Sequence, residues 1–166
     1  MNYHRPVMQE EVVKYLRPAA GKKYVDATLG DGGHAIELMK EGAEVLGIEI
    51  YQPALERAKK RIDNSGLMER FKGVQGNFKN IGEIAGKEGF AKVDGVLFDL
   101  GYSSYQLEEN LGISFEGEQQ LDMRFDQQLG VTAADLLNTL PEKEITKMIS
   151  DYGGERLAKR FAKEIV

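Results

Sequence analysis

Apolar positions along this chain fall into two alternating patterns. Short, nearly continuous runs recur at residues 23–28 (KYVDAT), 44–50 (EVLGIEI), 71–75 and 93–100 (VDGVLFDL), and each predicts a strand. Between them lie amphipathic stretches with helical spacing at residues 8–16, 34–41, 53–63 and 79–87. Pro53 opens the third of these, in the first turn, where a missing N–H costs little. Strands separated by helices of this length predict βαβ units and a parallel sheet of about four strands, an α/β fold. The fourth run is the most apolar, which suits a strand covered on both faces in mid-sheet.

After Leu100 the pattern breaks. Residues 101–130 are polar, rich in Gly, Ser, Gln and Glu, and lack a clear period. A long irregular stretch inside a domain is usually functional. Three helices are predicted beyond it, at residues 132–140, 141–152 and from 155 onward. In the last, Leu157, Phe161 and Ile165 form an apolar stripe, with Arg156, Lys159, Arg160 and Lys163 on another face. The expected domains are residues 1–105 and 106–166. The apolar fourth strand has no later strand to cover its second side, and the chain ends without a helix stop signal. An exposed apolar edge invites aggregation. The sheet is therefore expected to be completed by further chain, its own C-terminal half or a second copy.

Composition narrows the chemistry. The 166 residues contain no cysteine, which removes disulfides, thiolate nucleophiles and Cys-ligated zinc. His4 and His34 are the only histidines, too few for a multi-His metal site. No run approaches ~20 apolar residues, and the N-terminus lacks a signal-peptide pattern, so a cytoplasmic protein without a membrane partner is expected. The net charge is −5, so any contact with nucleic-acid phosphate must come from a local basic patch.

The strongest local signal is Val25-Asp26-Ala27-Thr28-Leu29-Gly30-Asp31-Gly32-Gly33-His34, a glycine-rich turn between a strand and a helix. Such a turn brings backbone N–H groups against a ligand at the positive end of the helix dipole. Glu49 follows 19 residues after Gly30, at the end of the next strand, where a carboxylate can accept ribose hydroxyls. Both a dinucleotide such as NAD and S-adenosylmethionine satisfy this pair. Asp26 suits the ammonium group of a methionine moiety, whereas Gly30-x-Gly32-x-x-Ala35 fits a relaxed dinucleotide fingerprint.

Ordered segments along nearly the whole chain resemble one family. They are His4-Arg5-Pro6-Val7, VDATLGDGGH, Gly76-Asn77-Phe78, VDGVLFDLGYSSYQ, Ile113-Ser114-Phe115, Leu121-Asp122-Met123-Arg124, and Tyr152-Gly153 with Glu155-Arg156 and Ala162 to Val166. The chain is similar to the ribosomal RNA small subunit methyltransferase H family, also called MraW. The resemblance implies a Rossmann-like class I methyltransferase sheet, in its first half, followed by part of a helical insertion. It implies S-adenosylmethionine as cofactor and small-subunit ribosomal RNA as partner, methylated at the N4 amine of a cytidine in the decoding region of bacterial 16S rRNA. The implied cofactor contacts are Gly32, Gly33, His34, Glu49, Phe78, Asp99 and Gln106. Asp99 is the candidate to hold the reacting amine, with Ser103 and Ser104 shaping its pocket. Tyr102 is a candidate to stack on the base, and Leu121 to Arg124 are candidates to touch RNA.

The chain departs from the family at several positions. Glu49 stands where Asp is usual, Ile50 and Tyr51 replace Arg and Asp, Tyr102 replaces Val, and Leu111-Gly112-Ile113 replaces an arginine-glycine pair and its neighbour. The family is also about twice this length. A relative that binds cofactor or RNA without turnover, and an NAD-dependent oxidoreductase, are the alternative readings.

Overall fold

A computed structural model of the chain describes residues 3, 6–101, 111–114 and 118–166. It divides into two compact units, Met1–Gln106 and Leu107–Val166.

The first unit holds β1 (Lys23–Asp26), β2 (Glu44–Glu49), β3 (Phe71–Gln75) and β4 (Gly95–Leu97). All pairings are parallel and the order is β3-β2-β1-β4. Helices α1 (Gln9–Leu16), α2 (Gly33–Lys40), α3 (Gln52–Asn64) and α4 (Ile81–Lys87) fill the connections. This is the strand order of a doubly wound, Rossmann-like fold. The alternation of side chains along each strand separates two cores. Tyr24, Val45 and Phe71 point into one, with Ile36, Leu38 and Met39 of α2 and Leu55, Ala58 and Ile62 of α3. Val25, Leu46 and Ile48 point into the other, with Ala85 of α4 and Phe90. Buried positions 54, 55, 58 and 62 of α3 repeat at helical spacing, which gives that helix one apolar stripe.

Gly47, in β2, makes room for the segment that carries the glycine turn. A Cβ there would lie 2.6 Å from Leu29 Cδ1 and 2.9 Å from the Phe71 ring. Leu29 is seated in that space, and its N–H donates to the Ile48 carbonyl at 3.0 Å.

The fourth strand differs from expectation. The apolar run 93–100 forms only three residues of strand. Among the described residues its second side is uncovered, as the lack of a later strand implied. Among the described residues its only neighbour is β1, which leaves the sheet at Asp26 and so ends the pairing. Phe98 and Leu100 are exposed.

The second unit contains α5 (Ala133–Thr139), α6 (Glu142–Gly153) and α7 (Ala158–Ile165). Thr132 and Asp135 cap α5 reciprocally: Asp135 N–H donates to Thr132 Oγ1 at 3.1 Å, and Thr132 N–H to Asp135 Oδ2 at 2.8 Å. Gly154, with φ of 62°, closes α6. Small side chains do the packing in α7: Ala158 and Ala162 are buried, while the stripe Leu157, Phe161 and Ile165 stays about half exposed. Alanines let α7 lie close to its neighbour, which turns the larger stripe outward. Arg156, Lys159, Arg160 and Lys163 are all exposed.

Gly47→Ala is expected to destabilise the chain by about 1–3 kcal/mol, because the added methyl group must displace Leu29 or Phe71. Urea unfolding of the purified variant tests this. An unchanged midpoint would mean that Leu29 does not need the space.

Candidate functional site

The carboxyl ends of β1, β2 and β4, and the turn after β3, lie along one edge of the sheet. In doubly wound folds this edge binds ligands. It carries Asp26, Glu49, Asp99 and Phe78, together with the glycine turn 30–33 and His34.

Glu49 braces the turn. Its Oε2 accepts the Gly30 N–H at 2.9 Å and its Oε1 accepts the Tyr51 N–H at 3.0 Å. The side chain is buried, and burial pushes its carboxyl above the usual carboxylate range, against the lowering effect of those backbone N–H groups. A carboxylate offers about four lone-pair sites, so acceptor capacity remains for ligand hydroxyls. The Glu49 carbonyl also accepts the Gly76 N–H at 2.9 Å, which ties the turn after β3 to the end of β2. Asn77 then caps a short 3-10 turn, accepting the Lys79 N–H at 2.9 Å, and Phe78 begins that turn.

Two of the turn's own amides are spent. The Gly30 N–H goes to Glu49, and the Gly32 N–H to the Leu29 carbonyl at 2.8 Å. Gly30 and Gly32 have φ of 50° and 72°, a backbone region that disfavours other residues. The backbone at Gly33 is approached closely from outside, since a Cβ there would lie 2.3 Å from Pro6 Cγ. Asp31 turns away and pairs with Arg57, whose Nε donates to Oδ1 at 2.7 Å. The Arg57 and Arg61 guanidinium groups lie 4.8 and 4.7 Å from the centroid of the Tyr3 ring. This fastens the N-terminal segment over α3.

Asp26 is the most unusual group. It is fully buried, and its Oδ2 has no hydrogen-bond partner among the described residues. Its Oδ1 accepts the Thr28 N–H at 3.2 Å. Burial, reinforced by the negative charges of Glu49 and Asp99, pushes its carboxyl up to about 7. His34 opens α2 with its Nδ1 likewise unpartnered and its Nε2 3.6 Å from Asp99 Oδ2. Burial lowers the tendency of His34 to carry a proton, and Asp99 acts against that. Among the described residues the site therefore collects three carboxylates, and two buried polar atoms in it lack partners. That arrangement favours a ligand carrying positive charge.

Phe78 and Phe98 complete the edge. Their rings meet edge to face, with centroids 5.7 Å apart and planes at 88°. Both are exposed, so Phe78 offers a flat apolar surface that Phe98 holds in orientation.

The structure thus brings Gly32, Gly33, His34, Glu49, Phe78 and Asp99 to one edge. Gln106, Tyr102, Ser103 and Ser104 lie outside the described residues, as do His4, Arg5 and Phe115. In the second unit, Leu121 to Arg124 form a tight turn closed by a bidentate ion pair. Arg124 Nε donates to Asp122 Oδ1 at 2.6 Å and Nη2 to Oδ2 at 2.8 Å. The exposed Met123 sits at φ of 61° within it. Sequence reasoning did not single out Phe98, Arg57 or the Thr28 hydroxyl. Arg57 lies on the polar face of a predicted helix, and no local pattern marks it as the partner of Asp31.

The family model described as the MraW methylase family matches residues 1–166. A ribosomal RNA small subunit methyltransferase H from Carboxydothermus hydrogenoformans is 46% identical over 165 residues, 98% of this chain and 52% of the relative. The protein of the same description from Geobacter sulfurreducens is 44% identical over 167 residues, covering 98% and 53%. The chain spans about half the length of the curated relatives it matches. Among solved structures, the C-terminal domain of precorrin-6Y C5,15-methyltransferase from Rhodobacter capsulatus is 25% identical and matches with a TM-score of 0.48. That match covers 61% of this chain and 52% of the other.

The Asp26 carboxyl gives a pH signature. Its folded-state value of about 7 lies above the ordinary 3.8, so the folded chain binds more protons than the unfolded chain between those values. Its contribution to stability is full below about pH 4 and is lost as pH rises through 7. Asp26→Asn keeps an oxygen for the Thr28 N–H and removes the titration. The gain in melting temperature of the variant over wild type is expected to grow from pH 5 to pH 8. A difference that stays constant over that range would show that Asp26 is charged throughout.

Proposed function

The chain belongs to the MraW methylase family, and from that premise we propose that its first unit binds S-adenosylmethionine at the carboxyl edge of the sheet, as part of an enzyme that methylates small-subunit ribosomal RNA. The finer reading is transfer to the N4 amine of a cytidine in the decoding region of bacterial 16S rRNA.

The observation that carries this reading is the charge of the edge. Asp26, Glu49 and Asp99 converge there, and each raises the cost of ionising Asp26 or adds to the negative field around it. A dinucleotide would bring an anionic pyrophosphate into that field. It would also need free amides from the glycine turn, and those of Gly30 and Gly32 are already bonded. A nucleoside carrying sulfonium and ammonium charges meets the opposite situation.

The residues present fit such a ligand. The unpartnered Asp26 Oδ2 is a hydrogen-bond acceptor in need of a donor, suited to an ammonium group. Glu49 retains lone pairs for ribose hydroxyls while it holds the turn. Phe78 supplies a face for adenine. Bound there, S-adenosylmethionine supplies an electrophilic methyl group on a cationic sulfur. Asp99 lies at the end of β4, half exposed, where its carboxylate can accept the N–H groups of an exocyclic amine. A cytosine amine is a poor nucleophile because its lone pair is conjugated with the ring. An acceptor held beside it stabilises the positive charge that develops on nitrogen. His34, buried and disfavoured as a cation, orients Asp99 rather than neutralising it. In the second unit, the exposed basic face of Arg156, Lys159, Arg160 and Lys163 suits RNA phosphates.

Calorimetric titration of the purified chain with S-adenosylmethionine, with NAD as control, tests the cofactor. Saturable binding of the first and none of the second is expected. Glu49→Gln replaces an acceptor oxygen with an N–H donor opposite Gly30 or Tyr51, and is expected to weaken binding on the order of tenfold. Binding of NAD with no response to S-adenosylmethionine would reverse the assignment.

A further inference from the structure

The end of β1 raises a question of backbone pairing. Strands β1 and β4 pair in parallel from Tyr24↔Gly95 to Asp26↔Leu97. One more main-chain bond follows, from Ala27 N–H to the Leu97 carbonyl at 2.9 Å. Beyond it β1 turns into the glycine loop, and among the described residues the next amide of β4 makes no main-chain bond to the Ala27 carbonyl that the register would offer. That amide belongs to Asp99. It donates instead to the Thr28 hydroxyl oxygen, at 2.7 Å. The hydroxyl stands in for that carbonyl and extends the ladder by one rung. Thr28 is itself held, because its own N–H donates to Asp26 Oδ1 at 3.2 Å. Two hydrogen bonds thus run from the buried Asp26 through Thr28 to the backbone of Asp99, whose carboxylate lies 3.6 Å from His34 Nε2.

We infer that Thr28 is a positioning residue, whose hydroxyl fixes the Asp99 backbone so that the Asp99 carboxylate stays against His34 and at the ligand edge. This rests on the reading of Asp99 given above. The property this role needs is the acceptor oxygen of Thr28, with the branched Cβ as an aid. Its oxygen accepts, which valine of the same shape does not. Its branched Cβ restricts rotation, so the acceptor is held in place. An exit without that bond would leave the Asp99 N–H to water and free the last residues of an edge strand that has only one neighbour among the described residues.

Thr28→Val and Thr28→Ser separate the hydroxyl from the shape. Two readouts are needed, one independent of cofactor. The first is the titration of His34 by imidazole NMR, with His34→Gln to tell its signal from that of His4. Asp99 favours the protonated form of His34, so a displaced Asp99 lowers the titration midpoint. Thr28→Val is expected to shift that midpoint downward and Thr28→Ser to restore it. The second readout is affinity for S-adenosylmethionine, expected to fall about tenfold in Thr28→Val and to recover to within about twofold in Thr28→Ser. Should Thr28→Val not fold, amide hydrogen exchange of Asp99 in the wild-type chain decides: protection supports the bond, and exchange at the rate of a free amide overturns it. A folded Thr28→Val chain with the wild-type His34 midpoint and wild-type affinity overturns the inference and leaves the cofactor reading intact. Failure of the wild-type chain to bind S-adenosylmethionine overturns the cofactor reading, while the His34 titration still decides the role of Thr28.

Discussion

The bond from the Gly30 N–H to the Glu49 carboxylate joins the two halves of the site. It runs from the loop after β1 to the end of β2, beyond the parallel main-chain ladder that joins the two strands. The same carboxylate takes the Tyr51 N–H, which sets the entry to α3, and the carbonyl of the same residue takes the Gly76 N–H. Three connecting segments are therefore fixed by one residue at the edge where they must converge. This brace acts where Gly30 and Gly32 adopt left-handed backbone conformations, and it adds to the bonds from Gly32 N–H to Leu29 and from Arg57 to Asp31. The Glu49 side chain is long enough to reach both amides with its two oxygens.

This bracing has an electrostatic consequence. The amides of Gly30 and Gly32, which might have faced a phosphate, are used internally, and the charge left at the edge is negative. Asp31, the acid inside the turn, is the exception that clarifies the rule. It is drawn aside by Arg57 into a buried ion pair, so its charge is neutralised locally. Asp26 has no such cation among the described residues, and burial holds its proton to about neutral pH. A buried carboxylate poised between two states is costly for the fold and useful for recognition, since a cationic ligand stabilises the ionised form that the protein alone disfavours.

Much of this was legible in the residues. The glycine turn, its acid 19 positions later and the helices around them follow from period and spacing, because both are local properties of the chain. β3 occupies the predicted residues 71–75. What periodicity could not supply was the neighbourhood. The run 93–100 reads as a central strand on apolar content alone, yet strand length depends on the partner, and β1 departs at Asp26. The stripe Leu157, Phe161 and Ile165 reads as the packing face of α7, but contact with α6 selects the alanines beside it. Arg57 and Phe98 acquire their roles only through residues 26 and 20 positions away, Asp31 and Phe78. A threonine that substitutes for a backbone carbonyl is invisible to any pattern of apolar positions.

An acidic site on an acidic chain is compatible with an RNA substrate if the two parts of a nucleotide are handled separately. A nucleobase is uncharged, and its exocyclic amine donates hydrogen bonds, so carboxylates are suitable partners for it. Phosphates are the part that requires cations. The basic side chains that could meet them are exposed on α7, in the other unit from Asp26, Glu49 and Asp99. Had the carboxylates been paired with surface lysines to neutralise the edge, the same cations would have competed for the acceptor atoms that an amine or an ammonium group needs. Leaving Asp26 Oδ2 and much of Asp99 without a cation keeps those acceptors available, and the cost falls on the stability of the buried group rather than on the chemistry of the edge.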